Sequence, residues 1–206
     1  GASTASLSLL SNTGSTSDTV TSVGVVKITL PTDVTIGSIL KVYDAASVTG
    51  SPTSYNVDAS HISRGYIEYT VPGANGTKNV TVTHTDLAGN TSAPQTYTFT
   101  LDTVTPSLDG ASLLSDSGNG FSGASTDGIT NNAGIRIDLG AGVQEGDTLK
   151  VYLGNTATGT PIYTKALTAS DLTTGYVDYN GSGVTGSGAK TLTVTTSDVA
   201  GNTSTP

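Results

Sequence analysis

An all-β chain of two tandem Greek-key β-sandwiches is the fold class that this 206-residue sequence predicts. Three observations predict it: apolar residues alternate with polar ones, the same blocks return twice in one order, and no segment carries a sustained apolar helical stripe. Alternation is clearest where Ile135, Ile137 and Leu139 face one way and Arg136 and Asp138 the other, and in Tyr97, Phe99 and Leu101 between threonines. The repeat is clearest in Thr81-Val82-Thr83-His84-Thr85-Asp86-Leu87-Ala88-Gly89-Asn90-Thr91-Ser92. It returns as Thr193-Val194-Thr195-Thr196-Ser197-Asp198-Val199-Ala200-Gly201-Asn202-Thr203-Ser204.

Other blocks keep the same order. Val26–Leu30 corresponds to Ile135–Leu139, Leu40-Lys41-Val42-Tyr43 to Leu149-Lys150-Val151-Tyr152, and Gly65–Tyr69 to Gly175–Tyr179. The period is roughly 110 residues, the size of an independent domain and far longer than a solenoid unit. We therefore expect one module over 1–101 and a second over 102–206.

In the first module strands are expected at about 5–10, 23–30, 38–44, 53–58, 65–71, 78–85 and 95–101. Thr and Val favour strands, and Gly-Asn, Asn-Gly and Ser-Gly pairs supply turns. Seven short strands in about a hundred residues suggest a sandwich of the immunoglobulin kind. The second module predicts strands near 110–115, 134–139, 148–153, 161–166, 175–180 and 190–197. A seventh is expected to be cut off at Pro206, leaving the sheet to be completed by another chain, by a shifted boundary, or not at all. Helix content is expected near zero.

Composition excludes several classes. There is no Cys, so disulfide frameworks, thiolate catalysis and Cys-based zinc sites are out of reach. A formal charge of -8 opposes binding to nucleic-acid phosphates or to an anionic membrane surface. No stretch has transmembrane length and no signal peptide opens the chain, which suggests a soluble fragment of something longer. Of 16 acidic residues only Glu68 and Glu145 are Glu, a bias toward Asp that suits turns and oxygen-rich cation sites. The only histidines are His61 and His84, with repeat counterparts Asp171 and Thr196. No positioned base accompanies the many Ser and Asp residues, so no triad is expected and the chain reads as no enzyme.

The Asp-x-Ala-Gly-Asn-Thr-Ser signature, the linker Leu101-Asp102-Thr103-Val104-Thr105-Pro106, and the loop from Ser115-Asp116-Ser117-Gly118 to Thr126-Asp127-Gly128-Ile129-Thr130-Asn131 together resemble the bacterial immunoglobulin-like repeats of giant type I-secreted (RTX/Bap-like) surface adhesins. The resemblance covers essentially the whole chain. It implies a secreted, cell-surface stalk that serves adhesion or biofilm formation by holding an adhesive region away from the cell, with Ca²⁺ stiffening the joints. It also implies that the partners are neighbouring repeats of the same chain, and that surface glycans or matrix ligands are bound through other regions. The first module departs from the pattern: Asn12 replaces Asp116, and the loop to Asp18 is shorter.

Ca²⁺ takes six to eight oxygens from carboxylates, amides, backbone carbonyls and water. In a sandwich of alternating strands, the sixth-to-seventh loop lies at the entry end and the first-to-second loop at the exit end. This places Asp198 and Asn202 toward Asp102 and the end of the first module that holds Asp18, and it predicts a joint site from these four. Asp147 and Glu145 are further candidates. Asp116 and Asp127 would form a half-site at the far end, and Asp86 and Asn90 a half-site facing a preceding module. Several carboxylates aimed at one joint are costly unless neutralised. The structural alternative is a plain turn, with Asp accepting from backbone N–H groups and Gly supplying positive φ. A carbohydrate- or ligand-binding module is the alternative function, with Tyr66 and Tyr176 as outward-facing platforms.

Overall fold

Period-2 sequences pair edge to edge and bury one face, and both halves of the chain do this. The computed structural model describes residues 1–117 and 127–206. The chain divides into two units, Gly1–Thr103 and Val104–Pro206.

In the first unit β1 (Ser6–Leu9), β3 (Val25–Thr29) and β6 (Tyr66–Thr70) form one antiparallel sheet, in the order β1-β3-β6. The second sheet runs in the order β2 (Val20–Thr21), β8 (Gln95–Leu101), β7 (Gly76–Thr85), β4 (Ile39–Tyr43), β5 (Thr53–Asn56). Its pairs are antiparallel except β2 with β8, which is parallel. The chain therefore crosses between sheets from β1 to β2, β2 to β3, β3 to β4, β5 to β6 and β6 to β7. This is the Greek-key order of an immunoglobulin-like sandwich. Val26, Ile28, Ile67 and Tyr69 on one sheet meet Leu40, Val42, Val80, Val82 and Phe99 on the other, all buried. At about 1.5–3 kcal/mol for each fully buried large apolar side chain, this layer dominates stability in a unit with no cysteine.

The second unit repeats the plan. One sheet has the order β13 (Tyr176–Tyr179), β10 (Ile135–Leu139), β9 (Leu108–Leu113), and the other β12 (Tyr163–Ala166), β11 (Thr148–Leu153), β14 (Leu192–Ser197). Its core gathers Ile137, Leu149, Val151, Leu167, Val177 and Tyr179. Among the described residues it has six strands, and β14 pairs with β11 alone apart from an isolated bridge between Ser197 and Thr203.

Helix content is small, as expected, but not zero. Each unit carries one six-residue helix before its β6-type strand, α1 (Ala59–Arg64) and α2 (Ala169–Thr174). Asp58 caps the first by accepting from the backbone N–H groups of Ser60 and His61, while the His61 ring accepts from the Asp58 N–H. Thr168 and Asp171 make the same reciprocal box in the second. Both helices stop at a left-handed glycine, Gly65 (φ 79°) and Gly175 (φ 79°), whose N–H donates to the carbonyl of residue 61 or 171. These helices bury almost nothing, so no apolar stripe announced them; their caps are the whole signal. Gly175→Ala forces a side chain into the left-handed region and is expected to lower unfolding free energy by about 1 kcal/mol, read as a shifted urea midpoint.

Candidate metal-binding loops

The twice-written signature folds into the same clasp in both units. Asp86 accepts from the Asn90 backbone N–H at 2.9 Å and from its side-chain amide at 2.8 Å. Asp198 accepts the same two from Asn202, at 2.8 and 2.7 Å. The backbone closes each loop from the other side, with the Asp N–H donating to the Asn carbonyl at 3.0 Å. Gly89 (φ 86°) and Gly201 (φ 88°) make the turn. Behind the loop, Ser92 and Ser204 each accept from a strand N–H, of His84 and Thr196 respectively, at 3.0 Å. Asp, Gly, Asn and Ser thus all have hydrogen-bonding reasons to be where they are. The bonds from Asn90 hold the Asp86 carboxyl below the usual carboxylate range.

The loop after the first strand is duplicated as well. Asp18 accepts from Val20 N–H at 2.9 Å, and Asp127 from Ile129 N–H at 2.8 Å. Thr21 donates to the Ser11 carbonyl at 3.0 Å, and Thr130 to that of Ser115 at 2.6 Å. This threonine is a hub that sequence reasoning missed; its signal is the shared Asp-x-(Val/Ile)-Thr spacing. Asp116 and Asp127 are brought together, because Asp116 Oδ2 accepts from Gly128 N–H at 3.0 Å. The middle of the loop that the sequence singled out, 118–126, lies outside the described residues.

The first unit does not bring Asp18 beside Asp102. In the parallel ladder Val20 stands opposite Thr100 and Thr21 opposite Leu101, and Asp102 N–H reaches the Thr21 carbonyl at 3.0 Å. Asp18 therefore precedes the start of this parallel ladder, whereas Asp102 follows its end. Asp102 accepts from the Asn75 side chain at 3.0 Å instead. Asp147 is buried and accepts from Gln144 N–H at 2.8 Å, locking a turn that Ser38 locks in the first unit by accepting from Thr35 N–H. Glu145 is exposed.

Two buried oxygens bear on cation binding. Asn12 Oδ1 and Asp116 Oδ1, at corresponding positions, are shielded from solvent and have no hydrogen-bond partner among the described residues. An orphaned amide oxygen is tolerable; an orphaned carboxylate oxygen calls for a cation or water. Among the described residues no three His, Asp or Glu side chains converge, so any cation would draw further oxygens from amides, hydroxyls and carbonyls.

The remaining polar groups serve structure. His84 is fully buried in β7, with Nδ1 3.2 Å from the Ser3 carbonyl. All nine tyrosines are buried or partly buried. Tyr66 lies under Lys27 at 4.8 Å and Tyr176 under Arg136 at 3.6 Å, so each is a cross-strand partner of a cation. Arg136 also grips Asp178 through two bonds of 2.9 and 3.0 Å, which hold the Asp178 carboxyl low. Burial pushes the Asp171 carboxyl up, but bonds from Lys165 and Thr168 outweigh it and the net shift is downward. Folded carboxyls held low contribute stability that is present above the ordinary carboxylate range and lost as pH falls through their lowered values. Acid unfolding followed by circular dichroism is therefore expected to set in below about pH 4, with a shallower acid slope for Asp171→Asn.

Strand order defines each unit as an immunoglobulin-like β-sandwich. No protein-family model matches the chain. No curated protein matches it. Among solved structures it is similar to the FN1–FN3 domains of chicken CNTN1, at 10% identity over 87% of this chain and 58% of that one, with a TM-score of 0.32. It is also similar to domains 7, 8 and 9 of the S-layer protein SbsC, at 17% identity over 97% of this chain and 56% of that one, with a TM-score of 0.25. The chain spans less than two thirds of either structure, and the fold assignment rests on its own strand order. Among the described residues no helix is long and apolar enough to cross a membrane.

Proposed function

We propose that this chain is a spacer from the stalk of a large bacterial cell-surface adhesin, secreted and serving adhesion or biofilm formation by length and stiffness rather than by catalysis. One observation carries the reading: duplication reaches down to individual hydrogen bonds in the clasp and the threonine hub. His61 caps a helix and His84 is enclosed in the core. Selection of the same turn chemistry at the same place in successive modules fits a part whose shape is its product. Its partners are neighbouring repeats of the same chain, with no role for nucleic acid or membrane insertion. Glycan or matrix ligands belong to other regions, because the tyrosines are taken up in packing and cation contacts.

Ca²⁺ at module joints is part of the proposal. Asp102, Asp198 and Asn202 would supply one joint, and Asp116 with Asp127 the equivalent at the next. The orphaned Asp116 oxygen and the formal charge of -8 support it. Thermal melting and small-angle scattering with Ca²⁺ and with chelator test it. The expected result is a higher melting temperature and a longer particle in Ca²⁺, with Asp198→Ala abolishing the chelator response at the joint and Asp116→Asn removing the contribution of its own loop. Identical melting and scattering in both conditions would refute the metal and leave the sandwich fold standing.

A further inference from the structure

Two Asn-Gly steps lie among the described residues, Asn75-Gly76 and Asn180-Gly181, and both asparagines are exposed. At such a step the side-chain amide lies open to the next backbone nitrogen, because glycine puts no side chain in the way. The fold leaves the two steps in opposite conditions. Asn75 has both ends of its amide engaged, donating to Asp102 Oδ1 at 3.0 Å and accepting from Thr103 Oγ1 at 2.9 Å. The Gly76 nitrogen is engaged as well. Thr100 and Asp102 turn their N–H groups to β2, so Leu101 between them faces β7 and forms the hydrogen-bonded pair with Gly76. Asn180 is held differently: its Oδ1 accepts from Ser182 N–H at 3.0 Å, while its Nδ2 and the Gly181 N–H have no partner among the described residues. In the first unit Val71 holds Gly181's place and donates to the Gly24 carbonyl at 2.8 Å. Gly181 lies at φ 81° with its backbone against Ala133 and Gly134, where an added Cβ would come within 2.7 Å of the Ala133 carbonyl carbon.

We propose that Asn180-Gly181 is a self-modification site, at which the folded chain converts its own asparagine through a succinimide to aspartate and isoaspartate while Asn75 is protected. The Gly181 nitrogen attacks Asn180 Cγ and gives up its proton to water. The Cγ–Nδ2 bond then breaks, Nδ2 takes a proton from water, and ammonia leaves. A second water opens the ring: addition at Cγ breaks its bond to the Gly181 nitrogen and gives aspartate, and addition at the main-chain carbonyl gives isoaspartate. The nucleophilic nitrogen has no hydrogen bond to surrender, unlike that of Gly76. The Ser182 N–H that already bonds Oδ1 stays with that oxygen as it becomes the oxyanion of the tetrahedral intermediate. Nucleophile and electrophile belong to one pinned loop, so little ordering remains before attack. Both products add a negative charge to the chain. Isoaspartate also inserts a main-chain carbon between Tyr179, buried in the core, and a glycine with no space to shift into, so modification weakens the second unit.

The test incubates the whole chain, folded and in urea, and follows each asparagine by peptide mapping with mass spectrometry and by enzymatic methylation of isoaspartate. In the folded chain Asn180 is expected to convert at least about tenfold faster than Asn75, and in urea the two rates should converge. Ser182→Pro removes the N–H on Oδ1. It suits the turn, in which Val184 N–H closes on the Gly181 carbonyl at 3.1 Å with Gly183 at φ 89°. This variant should slow Asn180 at least about tenfold in the folded chain and leave Asn75 unchanged. Equal rates at the two asparagines in the folded chain would overturn the proposal. So would conversion of Asn180 in urea alone, a comparison that needs no variant to fold.

Discussion

Phe99→Ala is expected to lower the unfolding free energy of the first unit by about 3–5 kcal/mol. Phe99 is 1% exposed, at the centre of a strand whose two edges are both paired, and it stacks on Tyr97 with ring centroids 6.2 Å apart. Truncation therefore removes a large apolar side chain where ladders on both sides prevent the strand from collapsing into the gap. Denaturant unfolding should show the first unit's transition moving to lower denaturant and the second unit's remaining in place. Coincident movement of both transitions would mean that the two units do not unfold independently.

The strands were legible because period-2 alternation has one physical cause, a sheet with one face buried. Tyr97, Phe99 and Leu101 alternate with threonines, and the structure buries Phe99 and Leu101 and half-buries Tyr97. Tyr69 and Tyr179 turned inward and Tyr66 and Tyr176 outward, as alternation requires. What escaped notice was shorter than the period or independent of it. β2 has two residues, too few to alternate, yet its parallel pairing with β8 sets Asp18 before the ladder and Asp102 after it. The helices bury nearly nothing, so only Asp58, Thr168 and the two capping glycines gave them away. Among the candidate ligands, spacing revealed that Asp198 and Asn202 share a loop and that Asp116 lies close to Asp127. It did not reveal that Asn202 donates to both Asp198 oxygens, or that Asp147 does the turn-locking work of Ser38, because those follow from backbone geometry.

At the alkaline end, Tyr69 is expected to dominate the pH dependence of the first unit. It is 5% exposed, and burial together with its bond to Asp44 Oδ2 at 2.7 Å pushes its hydroxyl up to about 12. Ionising it in place would put a phenolate into the core against a carboxylate. The unfolded chain ionises near the ordinary tyrosine value of about 10. A group whose folded value is raised contributes stability that is complete below the unfolded value and lost as pH rises through the folded one. The first unit should therefore lose on the order of 2 kcal/mol between about pH 10 and pH 12. Tyr69→Phe separates this from general charge repulsion. It removes the Asp44 bond and should cost about 1 kcal/mol at neutral pH, but the residual alkaline slope should be much shallower. An alkaline slope unchanged in Tyr69→Phe would assign the loss to other groups, such as Tyr55, whose hydroxyl is also pushed up by burial and by Asp44.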